Sequence, residues 1–203
     1  MKKGTLMIAL IAMGLTVMAN GPKAPKGETL KVDAKASTFK WNAKKVTGEH
    51  SGTINIASGN IMVDKGTVTG GIVIVDMTSI DVTDLQGEYK GKLEGHLKSE
   101  DFFSTEKNTQ SILSIKKVEA IKGAKTAENF TVTADLTIKG ITNQIQFPAI
   151  IVVNGSSVIA NADFMIDRTK WDIKYGSKSF IEGIGDKAID NDFNVKVRLV
   201  AAK

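Results

Sequence analysis

The sequence predicts an all-β protein, a closed antiparallel β-barrel of about eight strands with a helical insertion covering one end. Three observations predict it. Apolar and polar residues alternate through most of the chain, the period of a strand with one dry and one wet face. A single segment, Asp84 to Lys98, changes to a four-residue period. The chain ends on a long alternating strand, Phe193, Val195, Val197, Leu199 and Ala201, which can pair with the first strand and remove both sheet edges. A barrel of about eight strands has an interior that is either filled by side chains or holds one small ligand.

The N-terminus reads as a targeting segment. Lys2 and Lys3 precede an apolar run from Leu6 to Val17, and Val17 and Ala19 place modest side chains before a cut that leaves Asn20 first. Residues 1–19 are therefore expected to be a cleaved signal peptide, since the run is shorter than the roughly 20 residues a membrane span needs. Export follows, to the periplasm or by secretion. Residues 20–29 form a flexible lead-in, and a single domain fills residues 30–203, long enough for a sizeable core. There is no cysteine, which removes disulfides, thiol catalysis, Cys-based metal sites and a lipidated-Cys anchor. The net charge of +5 falls to +3 without Lys2 and Lys3, and the lysines are scattered. A nucleic-acid partner is not expected, because it needs a clustered basic patch with stacking aromatics.

Each element has its own pattern. Ser37 to Val46 sets Phe39, Trp41 and Ala43 on one face. Thr53 to Val63 alternates through Ile54 and Ile56, then changes parity to Ile61 and Val63, so Gly59 marks a turn or bulge. Thr67 to Met77 holds Ile72 to Val75 unbroken, which predicts a strand covered on both faces or lying at a covered end. In the helical segment, Leu85, Tyr89, Leu93 and Leu97 form the stripe, with Gly87, Gly91 and Gly95 at the same spacing. Each such glycine costs a helix about 1 kcal/mol. Two readings stand: close approach of the helix to the sheet, which we favour, or a segment able to open. Ser99 to Phe103 predicts a capped turn burying two aromatics, and Ser111 to Ile121 a strand. Asn129 to Val153 predicts a hairpin turning at Gly140, with Phe130, Val132, Ala134, Leu136 and Ile138 facing one way and Ile145, Phe147, Ala149, Ile151 and Val153 resuming the face. Val158 to Ile166 follows in the same manner, and the connection from Thr169 to Asp190 is long enough to suggest a function or partial helix.

Several letter patterns fail on inspection. His50 and His96 are too few for a three-ligand metal site without carboxylate help, and no metal is expected. The Asp190-Asn191-Asp192 run lacks the glycine and closing glutamate of a calcium loop. Gly183 to Ala188 has a dinucleotide-like spacing but no strand-helix setting. No serine sits in a GxSxG elbow, so no catalytic residue is assigned and a hydrolase is the least favoured reading. The inward residues admit two accounts, a packed core or the lining of a cavity. Small Ala134, Ala149, Ala160 and Ala162 on inward faces favour a cavity.

Read in order, the motifs resemble the YceI-like polyisoprenoid-binding family. They run from Val32-Asp33-Ala34-Lys35-Ala36-Ser37 through Val46 to Ile54 and Ser79-Ile80-Asp81-Val82-Thr83. His96-Leu97-Lys98-Ser99-Glu100-Asp101-Phe102-Phe103, Ala134 to Thr142 and Asp167 to Ile173 complete the set. The family's early histidine is Ala36 here, and its arginine before the His96 element is missing. The resemblance implies a lipocalin-like barrel that binds a long-chain isoprenoid lipid or quinone as a periplasmic carrier or store, without catalysis or another cofactor. On that reading the cavity lining comprises Phe39, Trp41, Ile54, Phe130, Val132, Leu136, Ile145, Phe147, Ala160, Ala162, Phe164 and Phe193. His96, Asp101 and Phe102 are head-group or gate candidates, His96 having the bland alternative of a structural hydrogen bond. The implied partners are an isoprenoid or similar amphiphile and, transiently, a membrane. The oligomeric state is open, a homodimer included. A filled-core barrel serving as an interaction module remains the main alternative.

Overall fold

The computed structural model describes residues 27–123 and 127–203. The expected signal peptide and most of the lead-in lie outside the described residues. Nine strands and one α-helix form in the order β1 (Glu28–Val32), β2 (Thr38–Lys45), β3 (Gly48–Asp64), β4 (Thr67–Val82), α1 (Gly87–Lys98), β5 (Gln110–Ala120), β6 (Phe130–Ile138), β7 (Ile141–Asn154), β8 (Ser157–Asp167) and β9 (Ile189–Ala202). Strands β2 to β9 pair each with the next, all antiparallel, and β9 pairs back with β2, so eight strands close the ring.

β1 begins inside the expected lead-in. It pairs with the far end of β3, Leu30 opposite Ile61, and with the end of β9, Val32 opposite Ala201. β1 and β2 thus occupy one strand position in two pieces. Asp33 closes the break between them, its carboxylate accepting from the N–H groups of Lys35 and Ala36.

Turn chemistry fixes the register. Lys139 and Gly140 link β6 to β7 with φ of +51° and +74°, the primed turn whose twist matches the strands it joins. The parity change in β3 is a bulge: the pairing shifts between Ile56 and Ser58, just before Gly59, so Ile54, Ile56, Ile61 and Val63 all face inwards. The run Ile72 to Val75 differs from expectation. Val73 and Val75 are buried, but Ile72 is 41% exposed on the outer face and no element covers it, so propensity for the strand rather than burial on both faces accounts for the run.

One end of the barrel carries α1, the Ser99–Thr109 segment, and the 168–188 connection with its 3₁₀ turns at Arg168–Trp171 and Gly185–Lys187. At the opposite end the interior is filled by Leu30, Ile61, Val158 and Ala201, each 2% exposed or less.

The helix departs from the expected packing. None of its residues is fully buried, and Tyr89 is 74% exposed. Leu85, Leu93 and Leu97 do pack against the cluster of Trp41, Ile54, Met77, Ile80 and Val82. A Cβ built on Gly87, Gly91 or Gly95 would meet nothing, so these glycines face open space and close approach to the sheet is not their role. Polar bonds tie the helix down instead: the Glu94 carboxylate accepts from Val82 N–H at 2.9 Å, and Lys90 Nζ lies 2.7 Å from Asp81.

Candidate functional site

Inward side chains of all eight ring strands enclose an apolar cavity of about 180 Å³. A single water needs about 10–15 Å³, and an apolar cavity of about 150 Å³ stays dry and binds benzene. The barrel is therefore hollow beyond any packing defect. The lining runs from Val158 to Ile166 along β8, roughly 20 Å along the barrel axis at the usual rise and tilt. A lining that extends along the barrel axis suits a linear chain.

The strands dictate this lining. Ala160, Ala162, Phe164 and Ile166 alternate inwards on β8, and Val195, Val197 and Leu199 on β9. Phe39, Leu113, Ile115, Ala160, Ala162, Phe164 and Val197 all line the space yet none is fully buried, because the hollow leaves part of each side chain uncovered. Phe147 and Phe164 stack face to face at 4.2 Å across β7 and β8, a rigid aromatic wall. Trp41 lies over Gly52, where any Cβ would collide with its ring and with the Asp81 carbonyl. The Trp41 indole Nε1 is buried with no hydrogen-bond partner among the described residues.

Of the residues expected in the lining, Phe39, Trp41, Ile54, Val132, Leu136, Phe147, Ala160, Ala162, Phe164 and Phe193 are there. Phe130 and Ile145 are not. They pack, half-buried, against the core clusters, Phe130 at the filled end of β6 and Ile145 opposite Ala134. Sequence reasoning passed over Leu113, Ile115, Val197 and Arg168. The first three were legible, since each alternates inwards on its own strand. Arg168 was not, because a charged residue just past a strand reads as solvent-facing.

A cover of aromatic groups closes the irregular end. The His96 ring from α1 meets Phe102 edge-on at 5.0 Å and Tyr175 at 4.4 Å, and Phe102 and Tyr175 lie 5.7 Å apart. Phe102 is buried and lines the cavity, as does half-buried Phe103. Asp101 points away: its carboxylate is 66% exposed and 3.8 Å from His96 Nε2. Trp171 and Ile173 fill the space beside Phe102, and Trp171 Nε1 donates to the Leu136 carbonyl at 3.1 Å.

Three polar residues interrupt the lining: Ser111, Arg168 and Asp190. Ser111 is spent on the Thr137 carbonyl. Arg168 is 4% exposed and donates from Nε to Asp190 O at 3.0 Å, from one terminal nitrogen to Ile173 O at 2.8 Å, and from the other to Ile189 O at 3.1 Å. Its guanidinium carbon sits 5.6 Å from the centre of the Phe102 ring. Burial pushes the guanidinium below its ordinary pKa, while the charges of Asp167 and Asp190 oppose the shift.

Among the described residues no group of three or more His, Asp or Glu side chains could hold a metal ion. His50 is spent on Asp84, Nδ1 to Oδ2 at 2.8 Å, and no serine hydroxyl there bonds to either histidine ring. Asn191, within the failed calcium pattern, bonds Ser177 and Ser179. No described helix is long and apolar enough to cross a membrane.

With this geometry in place, three comparisons bear on the chain. The family model of the YceI-like domain matches residues 30–201. Among solved structures, BcnA of Burkholderia cenocepacia superposes with a TM-score of 0.66 at 20% identity, over 84% of this chain and 99% of that one. A polyisoprenoid binding domain from Saccharophagus degradans, implicated in plant cell wall breakdown, gives 0.62 at 14% identity over 87% and 99%. The YceI protein of Campylobacter jejuni gives 0.51 at 18% identity over 100% and 99%. At these identities the solved structures show a shared fold. No curated protein matches the sequence.

Proposed function

This chain belongs to the YceI-like domain family, and from that premise we propose that its barrel holds the tail of a long-chain isoprenoid lipid or quinone, as a carrier or store and not as an enzyme. The observation that carries the reading is the apolar cavity of about 180 Å³ inside a closed ring of strands. A hollow of this size is what weighs against a filled-core interaction module. The polyisoprenoid-binding name of the Saccharophagus neighbour supports the class of lipid.

Each buried CH₂ of the tail contributes about 0.8 kcal/mol, so affinity needs no polar anchor. For the same reason a chain longer or shorter by one methylene is discriminated weakly. The cavity is smaller than the roughly 300–1,000 Å³ of a typical drug-sized site, so a long ligand either displaces the aromatic cover or leaves part of itself outside. Exposed Tyr175, Phe180 and Ile181 in the 168–188 connection then supply apolar contact with a membrane during transfer. We place the protein in the periplasm, exported by residues 1–19.

The test is to purify the exported protein without detergent, extract it with organic solvent and identify the extract by mass spectrometry. A prenyl lipid or quinone at one per protein is the expected result. An Ala162→Leu variant, which fills the lining, should keep its melting temperature and lose the lipid. An extract empty of lipid, from protein that also fails to take up added isoprenoids, would overturn the reading.

A further inference from the structure

We infer that Arg168 anchors the oxyanion head of an amphiphile, a carboxylate or a phosphate, whose tail lies in the barrel. The inference rests on the lipid-binding reading above and names the head group that reading leaves unspecified.

A guanidinium carries five N–H donors and a permanent charge. Arg168 spends three of them on the carbonyls of Ile173, Ile189 and Asp190. The other two, one on each terminal nitrogen, have no acceptor among the described residues. Its charge has no direct ion pair: Asp167 and Asp190 favour the charged form only from a distance. No carboxylate of the described residues lies within ion-pair distance: Asp167 is turned to the N–H and hydroxyl of Thr169, and Asp190 contributes its carbonyl. Carbonyl dipoles hold the group in place but do not neutralise it, and a buried cation without a counter-ion is costly.

Its position supplies the rest. Arg168 lines the cavity beside Phe102, in a lining whose other polar members are Ser111 and Asp190. A chain entering through the aromatic cover would bring its head past that point last. Two unspent N–H donors on a guanidinium can each take an oxygen of a carboxylate or phosphate, and such charge-assisted bonds are stronger than neutral ones. Being held by three carbonyls, the guanidinium is pre-positioned and loses little freedom on pairing.

The experiment compares three C15 ligands that differ only in the head: farnesoic acid, farnesyl phosphate and farnesol. The wild-type protein should bind the acid and the phosphate about tenfold or more tighter than the alcohol, the weight of hydrogen bonds to a charged group. Arg168→Gln should abolish the preference, so that the acid, the phosphate and the alcohol bind alike. Because that change also removes bonds to the connection, a second measurement uses wild-type protein and acid labelled with ¹³C at the carboxyl. Beside the guanidinium the bound carboxyl should titrate below its free value, whereas burial in the apolar lining alone would raise it. Equal affinity for alcohol and acid, a preference that survives in Arg168→Gln, or a raised titration would each overturn the inference. If farnesol binds without any preference, the head-group inference falls while lipid binding stands. If none of the three binds, lipid binding itself falls.

Discussion

Asp84 illustrates how single side chains hold the irregular end to the ring. Its carboxylate accepts from the Ser51 N–H at 2.9 Å and from His50 at 2.8 Å, joining β3 to the segment that leads into α1. Burial raises its pKa, but the Ser51 and His50 hydrogen bonds outweigh burial and hold the carboxyl below the ordinary value. A depressed folded-state pKa means stabilisation that is complete above the unfolded value of about 3.9 and lost as pH falls through the lower folded one. Asp84→Asn keeps the shape and removes the charge. It should melt lower than wild type near neutral pH, by about 1 kcal/mol for one charge-assisted bond that is partly screened. The gap should close below about pH 4. A gap that persists unchanged in acid would show that the contact acts through shape alone. The sequence could not have disclosed this pair, since 34 residues separate its members and no local pattern links them.

The strands and the helix were legible to different degrees, for a physical reason. A strand in a closed barrel has one dry and one wet face, so β6, β7, β8 and β9 announce which residues point inwards, and the Lys139-Gly140 turn pins their register. α1 lies on the outside of an end, half-packed, and its four-residue stripe mixes contact with exposure: Leu93 and Leu97 touch the core while Tyr89 does not. The glycines share a spacing with the stripe, which made a helix-sheet approach attractive, yet they point into open space. That placement makes a clean prediction. Gly91→Ala and Gly95→Ala should each stabilise the helix by about 1 kcal/mol. In a domain of this size that is a rise of about 2–4 °C in melting temperature per substitution. A fall in either variant would mean that the glycines serve a conformation other than the one described.

For the molecule as a whole, the closed ring was visible in the sequence and its occupancy was not. Alternation tells which side chains enter the interior but not whether they meet, because a packed core and a lined hollow demand the same apolar residues. The small inward alanines were the available sign: Ala149, Ala160 and Ala162 do border the hollow, while Ala134 is packed in the core. The split first strand was hidden as well, since β1 is five residues long and half of it falls in a stretch that reads as a linker.

The hollow has a mechanical consequence. Under hydrostatic pressure a system moves towards its smaller volume, and a dry internal void is volume that unfolding removes. Unfolding volumes grow with the internal void and fall at about 20–100 mL/mol, and a barrel with this hollow belongs towards the upper end of that range. The empty barrel should therefore be unusually soft to compression, unfolding at a lower pressure than a filled barrel of equal thermal stability. A tail lodged along the axis replaces void with matter and should harden the molecule. Tryptophan fluorescence followed under pressure, with and without farnesol, would register that change, and an identical response from the two forms would mean that the void is not where the tail resides.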